Sequence, residues 1–190
     1  MRKMEEKILA EGEILSGGVL KVGSFLNQQI DTVFMREIGE EIADMFKGEE
    51  VTKILTIEAS GIPIAVSAGF AMELPVVYAK KNKSSNISGD VYSTVVQSFT
   101  HGNKNHVIVN KEYISPDDKV LIVDDFLATG AALKGLRALV EQAGGTVVGA
   151  GIAIEKAFQG GGDELRRSGM RVESLARIAR MSDDSLEFVR

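Results

Sequence analysis

Hydrophobic and polar positions repeat with two different periods along this chain. Short runs of consecutive apolar residues alternate with longer segments in which apolar residues recur every three or four positions. Continuous apolar runs are typical of strands buried on both faces, and the longer spacing is typical of helices packed on a sheet. The pattern predicts strands at 53–58, 75–80, 119–125 and 146–155, and helices at 61–73 and 131–144. This order predicts an α/β fold, with a mostly parallel sheet flanked by helices.

Other segments depart from this alternation. Residues 91–99 and 106–114 alternate in twos and predict a β-hairpin arm, joined by THGNKN. Residues 3–11 have helical charge patterning, and Asp31 is the predicted N-cap of a second helix, which Gly48 ends. The segment 13–31 is irregular, and the C-terminal stretches 173–181 and 186–189 predict either short strands or a helix. The chain has no long linker or repeat, so residues 1–190 are expected to form a single domain.

Composition excludes several classes of protein. The net charge of −5 disfavours general attraction to nucleic acid or to anionic membranes. The absence of cysteine excludes disulfides and thiolate metal sites. His101 and His106 lie in a polar stretch, where we expect solvated loop residues rather than metal ligands. No apolar run reaches the roughly 18 residues of a membrane span, and the charged N-terminus lacks a signal-peptide core. We therefore expect a soluble cytoplasmic protein.

The candidate chemistry is concentrated in VLIVDDFLATGAAL, residues 120–133. Asp124 and Asp125 follow an apolar strand, at the carboxyl end where open α/β sheets bind ligands. The small residues that follow let backbone N–H groups approach an anion at a helix N-terminus, and Thr129 adds a hydroxyl. A ribose phosphate would satisfy both the carboxylates and the anion cradle. From the residues alone, an ordinary turn before a capped helix is an equally good interpretation.

This stretch resembles the phosphoribosyl pyrophosphate motif of the type I phosphoribosyltransferases. The shared pattern is four apolar residues, two acidic residues, two apolar residues, and a small residue before Thr-Gly. The resemblance implies that family's fold, with a hairpin arm and a small hood formed by about residues 1–30 and the C-terminal segment. It also implies that Asp124 and Asp125 bind the ribose hydroxyls. The 5-phosphate would bind the loop Ala128, Thr129, Gly130, Ala131 and Ala132.

The sequences at two more predicted strand ends resemble motifs of the same family. TIEASGIPIAV resembles the loop that binds diphosphate, with Ser60 and Gly61 at its turn. In AKKNKS, Lys81 is the candidate for the family's basic residue that contacts diphosphate, often across a dimer interface. Ordinary surface lysines, including Lys80 and Lys83, are the alternative interpretation of that stretch.

The resemblance is wider for the bacterial xanthine phosphoribosyltransferases. Five segments are similar in order and spacing: LKVGSFLNQQID, TIEASGIPIAV, VLIVDDFLATG, IAIEKAFQGG and RVESLARI. The resemblance implies that Leu20, Asn27 and Lys156 bind the purine. An amide and an ammonium both donate to carbonyl oxygens, which xanthine carries at C2 and C6. Without the resemblance, the three would be interpreted as a core leucine, a turn asparagine and a solvated lysine.

The resemblance implies transfer of a phosphoribosyl group from 5-phospho-α-D-ribose 1-diphosphate to xanthine, giving xanthosine 5′-monophosphate and diphosphate. It also implies a homodimer, small-molecule substrates, and substrate-bound Mg²⁺ with no direct protein ligand. No residue is assigned as a general base, because Ala128 stands where the hypoxanthine-guanine relatives have an aspartate. The alternatives are another purine acceptor (guanine, hypoxanthine or adenine) and a non-catalytic regulator that senses phosphoribosyl pyrophosphate. The regulator is disfavoured because the acidic N-terminal segment lacks a helix-turn-helix pattern.

Overall fold

The structure is a computed structural model that describes residues 2–81, 90–97, 104–182 and 184–190. Its helices are α1 Arg2–Glu11, α2 Thr32–Met45, α3 Gly61–Met72, α4 Ala131–Gln142 and α5 Gly161–Arg167. Its strands are β1 Glu13–Leu15, β2 Val19–Lys21, β3 Lys53–Ile57, β4 Val76–Lys81, β5 Val91–Gln97, β6 Lys104–Asn110, β7 Lys119–Leu127, β8 Thr146–Lys156, β9 Val172–Met181 and β10 Leu186–Phe188.

Eight of these strands form one sheet in the order β10-β9-β8-β7-β3-β4-β6-β5. The pairs from β9 through β8, β7 and β3 to β4 are all parallel. The strands β10, β6 and β5 pair antiparallel with their neighbours at the two edges. The predicted α/β architecture with a mostly parallel sheet is therefore confirmed, as is the β-hairpin arm formed by β5 and β6.

Hydrophobic clusters cover both faces of the sheet. On one face, α2 and α3 pack with Ile38, Ile42 and Ile64 against the central strands. On the other face, α4 packs with Leu136 and Leu139. These helix residues are fully buried, as the apolar spacing of the sequence predicts. The two layers leave the ends of the parallel strands as the open edges of the fold.

The structure differs from the sequence prediction in the irregular and C-terminal segments. Residues 13–21 form the separate hairpin β1–β2, followed by a single π-helical turn, Gly23–Asn27. The C-terminal stretches, for which strands and a helix were both open, are the strands β9 and β10. Because these strands continue the main sheet while α1 packs against β9, the division into a hood and a core stays a prediction. The short helix α5 had no sequence signal.

The structure changes the prediction that both histidines lie in a loop. His106 lies in β6 rather than in a loop, and its side chain is exposed. His101 lies outside the described residues.

The β5–β6 arm packs on α4, because Gln142 Nε2 donates to the Ser93 carbonyl at 3.1 Å. A Cβ atom at Gly135 would clash with Val96, so glycine is what permits this packing.

In the described ranges, helices are either too short or too polar to cross a membrane.

The N-terminal elements are held together by Lys7. Its ammonium lies 2.9 Å from Asp31 Oδ2 and 2.7 Å from Glu11 Oε1, and it covers the rings of Phe25 and Phe34. Asp31 also accepts a hydrogen bond from Phe34 N at 3.1 Å, which confirms the predicted N-cap of α2. The same carboxylate thus caps one helix and fixes a second helix beside it.

Asp31→Ala should lower the melting temperature by roughly 2–4 °C, because both the cap and the Lys7 ion pair are lost. Thermal unfolding followed by circular dichroism measures this. Asp44→Ala is the matched control: this aspartate is exposed in the last turn of the same helix, where a negative charge is unfavourable. Equal losses in the two variants would contradict the assigned role of Asp31.

Candidate active site

Loops from three parallel strands meet around a cleft of about 210 Å³ at the carboxyl edge of the sheet. The loop after β3 contributes residues 58–61, the end of β7 and the loop after it contribute 124–130, and β4 contributes Lys81. The hairpin arm closes one side of the cleft with side chains of β5 and β6. The parallel register is what brings these distant sequence segments to one place.

The acidic pair lies at the centre of this cleft. Asp124 is only 4% exposed, and its Oδ1 accepts a hydrogen bond from Asp125 N at 3.0 Å. Burial raises the pKa of Asp124 well above that of an ordinary aspartate, and the Asp125 charge raises this pKa further. The positive charge of Lys81 acts in the opposite direction. Asp124 is therefore a carboxyl group in need of hydrogen-bond donors, as expected for a ligand site.

The start of α3 packs directly against the acidic pair. A Cβ atom on Gly61 would clash with Thr56 Oγ1 and would lie 2.8 Å from Asp124 Oδ1. The Thr56 hydroxyl is buried and has no hydrogen-bond partner among the described residues. Only glycine permits this approach of the α3 N-terminus to the carboxylate. Ser60 and Gly61 therefore form a turn whose backbone faces the cleft.

A second helix N-terminus, that of α4, faces the same cleft. Gly130 is its N-cap, with a φ of 80° that favours glycine. Ala128, Thr129, Ala131 and Ala132 are half-buried and line the cleft. The N–H groups of a first helical turn have no partners within the helix, so this loop offers donors to an anion.

Glu58 joins two of the three strand ends, a role that no sequence pattern indicates. Its Oε1 accepts a hydrogen bond from the backbone N of Lys81 at 2.5 Å. The Glu58–Ala59 peptide bond is cis. Lys81 is exposed at the cleft, and its neighbour Lys83 lies outside the described residues. The loop after β3 and the basic end of β4 are thus placed together.

The predicted purine-binding residues lie on β2, at the end of the π-helical turn and at the end of β8. Lys156 Nζ donates to the Gly18 carbonyl at 3.1 Å and lies 5.7 Å from the centroid of the Phe126 ring. Burial lowers the pKa of Lys156 below its usual value. Leu20 is buried in the core, and Asn27 is half-buried at the end of the π-helical turn.

The structure brings the predicted phosphoribosyl-binding residues together more closely than the purine-binding ones. Asp124, Asp125 and the loop 128–132 all line the cleft, whereas Leu20, Asn27 and Lys156 are absent from its described lining. Phe126 connects the two groups, because it lines the cleft and its ring faces Lys156. Sequence reasoning overlooked Phe126, since an apolar residue in a strand predicts only core packing.

Metal ligands are sparse in the part of the chain that the structure describes. Within it, no three acidic or histidine side chains are placed to hold a metal ion together. The acidic pair alone supplies two carboxylates, fewer than a dedicated divalent cation site uses.

Comparison with known proteins agrees with this geometry. A family model for the phosphoribosyl transferase domain matches residues 26–167, which include every loop of the cleft. The chain belongs to the phosphoribosyltransferase family. The motif resemblance found in the sequence is thereby confirmed at the level of the family.

Relatives within this family cover the whole chain. The xanthine phosphoribosyltransferase of Bacillus cytotoxicus is 53% identical over 190 residues, covering 100% of this chain and 96% of the relative. A xanthine phosphoribosyltransferase of Bacillus cereus is 51% identical with the same coverage.

Solved structures of phosphoribosyltransferases share the fold. Adenine phosphoribosyltransferase from Trypanosoma brucei, in complex with AMP, pyrophosphate and ribose-5-phosphate, has a TM-score of 0.80. It is 18% identical, and the match covers 95% of this chain and 82% of that one. The enzyme from Giardia lamblia, complexed with 9-deazaadenine, has a TM-score of 0.79 at 20% identity, with 92% and 97% coverage. At these identities the likeness describes the fold alone.

Gly61→Ala should weaken binding of phosphoribosyl pyrophosphate by roughly tenfold or more, because the added methyl group displaces Asp124 or the α3 N-terminus. Isothermal titration calorimetry measures the affinity. Thr56→Ala removes the nearest obstructing atom, so the double variant Thr56→Ala/Gly61→Ala should regain part of the loss. A Gly61→Ala protein with unchanged affinity would contradict the close approach described above.

Proposed function

We propose that this protein transfers the phosphoribosyl group of 5-phospho-α-D-ribose 1-diphosphate to xanthine, giving xanthosine 5′-monophosphate and diphosphate. The observation that carries the proposal is the cleft in which the acidic pair, with Asp124 buried and Asp125 half-buried, lies beside two helix N-termini. This arrangement matches a ribose that carries an anionic group on each side. The xanthine phosphoribosyltransferases that cover the full chain supply the choice of acceptor.

The direct test is turnover. The protein is incubated with Mg²⁺, phosphoribosyl pyrophosphate and each purine base in turn, and both nucleotide and diphosphate are quantified. We expect xanthosine 5′-monophosphate and diphosphate in equal amounts. Turnover of guanine, hypoxanthine or adenine but not of xanthine would replace the proposed acceptor. Binding of phosphoribosyl pyrophosphate without turnover of any base would support the sensing regulator instead.

For phosphoribosyl pyrophosphate, we assign Asp124 and Asp125 to the ribose 2′- and 3′-hydroxyls, because carboxylates accept from hydroxyl donors. The 5-phosphate is assigned to the loop Ala128–Ala132 at the N-terminus of α4. The diphosphate is assigned to the turn at Ser60 and Gly61, with the charge of Lys81 beside it. This orientation uses both helix N-termini for the two anionic ends of one substrate.

The purine is placed between Phe126 and the hood, where Leu20, Asn27 and Lys156 are its proposed contacts. The Asn27 side chain forms no hydrogen bond with other described residues, so its amide is available to a carbonyl oxygen of xanthine. Lys156 already donates to one backbone carbonyl and has further N–H groups. Its ammonium would also favour the xanthine anion over the neutral base.

The reaction replaces the C1–O bond to diphosphate by a C1–N bond to the purine. The bonding electrons of the C1–O bond leave with diphosphate, and the purine nitrogen supplies the new pair and loses its proton. No protein group is assigned to that proton: the loop has Ala128 at the position in question, and the one histidine among the described residues is exposed on β6. We propose that the acidity of xanthine itself compensates, since general base catalysis is worth roughly 10²–10⁴-fold.

We propose that Mg²⁺ arrives with the substrate, held by the diphosphate and the ribose hydroxyls. The two carboxylates of the acidic pair fit this mode, because Mg²⁺ keeps several waters and few protein ligands in such sites. When bound, it would neutralise charge on the leaving diphosphate. Asp124 and Asp125 line the cleft, where they would accept hydrogen bonds from the ribose hydroxyls or from waters on the ion.

A cytoplasmic homodimer is also part of the proposal. The family resemblance implies it, and the surface of α3 supports it: Phe70 is 82% exposed and Val66 is 39% exposed, beside a groove shared with α2. Large apolar side chains exposed together are typical of surfaces that bind another protein.

Asp124→Asn/Asp125→Asn should lower kcat/KM by about a hundredfold or more, because two hydrogen bonds to charged acceptors are worth about 1.5–3 kcal/mol each. Steady-state kinetics measure this. The matched control is Asp117→Asn/Asp118→Asn, which changes an adjacent aspartate pair just before β7, at the opposite end of the strand. The control should retain its kinetic constants; equal activity in the two double variants would disprove the assignment.

Asp124→Asn/Asp125→Asn should also gain stability relative to the wild type as the pH rises above about 4. The raised pKa of Asp124 means that the folded protein holds a proton that the unfolded chain releases, so raising the pH destabilises the wild type. Asparagine does not titrate, so the variant lacks this fall in folding stability with rising pH. Urea unfolding at a series of pH values measures the difference, and a difference between variant and wild type that does not change with pH would contradict it.

Lys156→Ala should lower kcat/KM for xanthine by about ten- to a hundredfold and lower it less for hypoxanthine, which ionises less readily. Kinetics with both bases give the ratio. Lys119→Ala, at the opposite edge of the sheet, is the control and should leave the ratio unchanged. Equal losses for the two bases would show that Lys156 does not distinguish between them.

A further inference from the structure

The side chain next to Lys156 is a fully buried carboxylate to which the proposed reaction assigns no role. Glu155 is 0% exposed. Its two oxygens accept hydrogen bonds from Arg166 at 2.8 and 2.7 Å, and Oε2 also accepts from Ser174 Oγ at 2.6 Å and from Arg177 Nε at 3.1 Å. Glu155 therefore joins the end of β8 to both α5 and β9.

This carboxylate is charged under all ordinary conditions. Burial by itself would raise the pKa of Glu155, but the hydrogen bonds from Arg166 and Ser174 and the two arginine charges lower it to about 2. A buried ion pair is a poor source of stability when compared with apolar packing, although removing one partner is costly. Stability alone therefore explains this ion pair poorly, and the elements that Glu155 joins point to a further role.

The helix that Glu155 anchors touches the proposed 5-phosphate loop directly. Gly161 N, at the start of α5, donates to the Ala128 carbonyl at 3.2 Å. A Cβ atom on Gly161 would clash with the Ala128 carbonyl and would lie 2.5 Å from Gly130 N. A Cβ atom on Gly130 would lie 3.3 Å from Leu165 Cδ1 of α5 and 3.4 Å from the Gly161 carbonyl oxygen. The backbone of α5 is thus the support on which this loop rests.

Glu155 lies directly against the backbone of α5. A Cβ atom on Gly162 would clash with Glu155 Oε1, so the carboxylate lies against the α5 backbone as well as against Arg166. Between Glu155 and Gly162, and between Gly161 and Ala128, the groups approach too closely for a Cβ atom to fit. A displacement of α5 would therefore be transmitted to the loop.

We infer that Glu155 is a positioning residue for the 5-phosphate loop: by fixing α5 through Arg166, it holds Gly161 against Ala128 and Gly130. It touches no substrate itself. The inference rests on the proposed function, since it concerns the loop to which the 5-phosphate is assigned. Its specific consequence is selective: the 5-phosphate end of the substrate should depend on Glu155, and the diphosphate end, which faces α3, should not.

The chain contains a matched control for this idea. Asp118 is also buried and accepts hydrogen bonds from Lys53 Nζ at 2.8 Å and from Ser115 N at 2.7 Å. It lies before β7, at the edge of the sheet away from the cleft. Asp118→Asn therefore removes a buried, paired charge without touching the loop or α5.

The experiment compares Glu155→Gln with Asp118→Asn and the wild type. Melting temperature, KM for phosphoribosyl pyrophosphate and KM for xanthine are measured, together with calorimetric affinities for ribose 5-phosphate and for inorganic diphosphate. We expect both variants to melt earlier. Only Glu155→Gln should raise KM for phosphoribosyl pyrophosphate, by roughly ten- to a hundredfold, with a parallel loss of ribose 5-phosphate affinity. Diphosphate affinity and KM for xanthine should stay within about threefold of the wild type.

Ser174→Ala removes one hydrogen bond to Glu155 and keeps the experiment decisive if Glu155→Gln does not fold; it should show the same selectivity at smaller amplitude. Equal weakening of ribose 5-phosphate and diphosphate binding, or no change in either beyond that of Asp118→Asn, would overturn the positioning role. A wild type that binds ribose 5-phosphate without using xanthine would instead overturn the proposed function, and the ribose 5-phosphate comparison would still test Glu155.

Discussion

Close contact between backbone segments at the carboxyl edge of the sheet is the constraint on which the cleft depends. The α3 N-terminus reaches the acidic pair at Gly61, and α5 reaches the loop after β7 at Gly161. A Cβ atom at either position would overlap atoms of the neighbouring segment. Because a helix N-terminus acts on an anion only over a short distance, Gly61 allows α3 to serve a ligand site directly. Gly161 instead allows α5 to support the loop that leads into α4.

Two buried carboxylates at neighbouring strand ends show how the fold separates binding from support. Asp124 ends the apolar part of β7 and has few donors, so burial raises its pKa. Glu155, near the end of β8, is just as buried, but two arginines and a serine lower its pKa to about 2. The same chemical group at similar depth thus accepts one hydrogen bond, from a backbone N–H, in one place and several from charged and hydroxyl donors in the other. Asp124, with its single donor, faces the cleft, and Glu155 faces α5.

The sequence was informative wherever a local pattern determines the structure. The apolar runs of β3, β7 and β8, the helical spacing of α2 to α4, and the Asp31 cap all follow from short-range rules. The motif around Asp124 predicted the cleft through family resemblance. Glu58, Phe126 and Glu155 could not be predicted in the same way, because their roles arise from contacts with residues that are distant in sequence. Nor could α5 be predicted, since its glycine-rich start is explained only by the loop against which it packs.

The β1–β2 hairpin and the main sheet are connected at the residue that is proposed to bind the base. Lys156 extends from β8 to the Gly18 carbonyl in the β1–β2 turn, and its ammonium faces the Phe126 ring. In this position one N–H group donates to the β1–β2 turn, while burial lowers the lysine pKa. A carbonyl-rich or anionic base would restore the electrostatic environment that burial removes, whereas a base without such groups would leave the ammonium poorly compensated. Discrimination between purines would then arise from the cost of an unsatisfied lysine as much as from attraction to the preferred base.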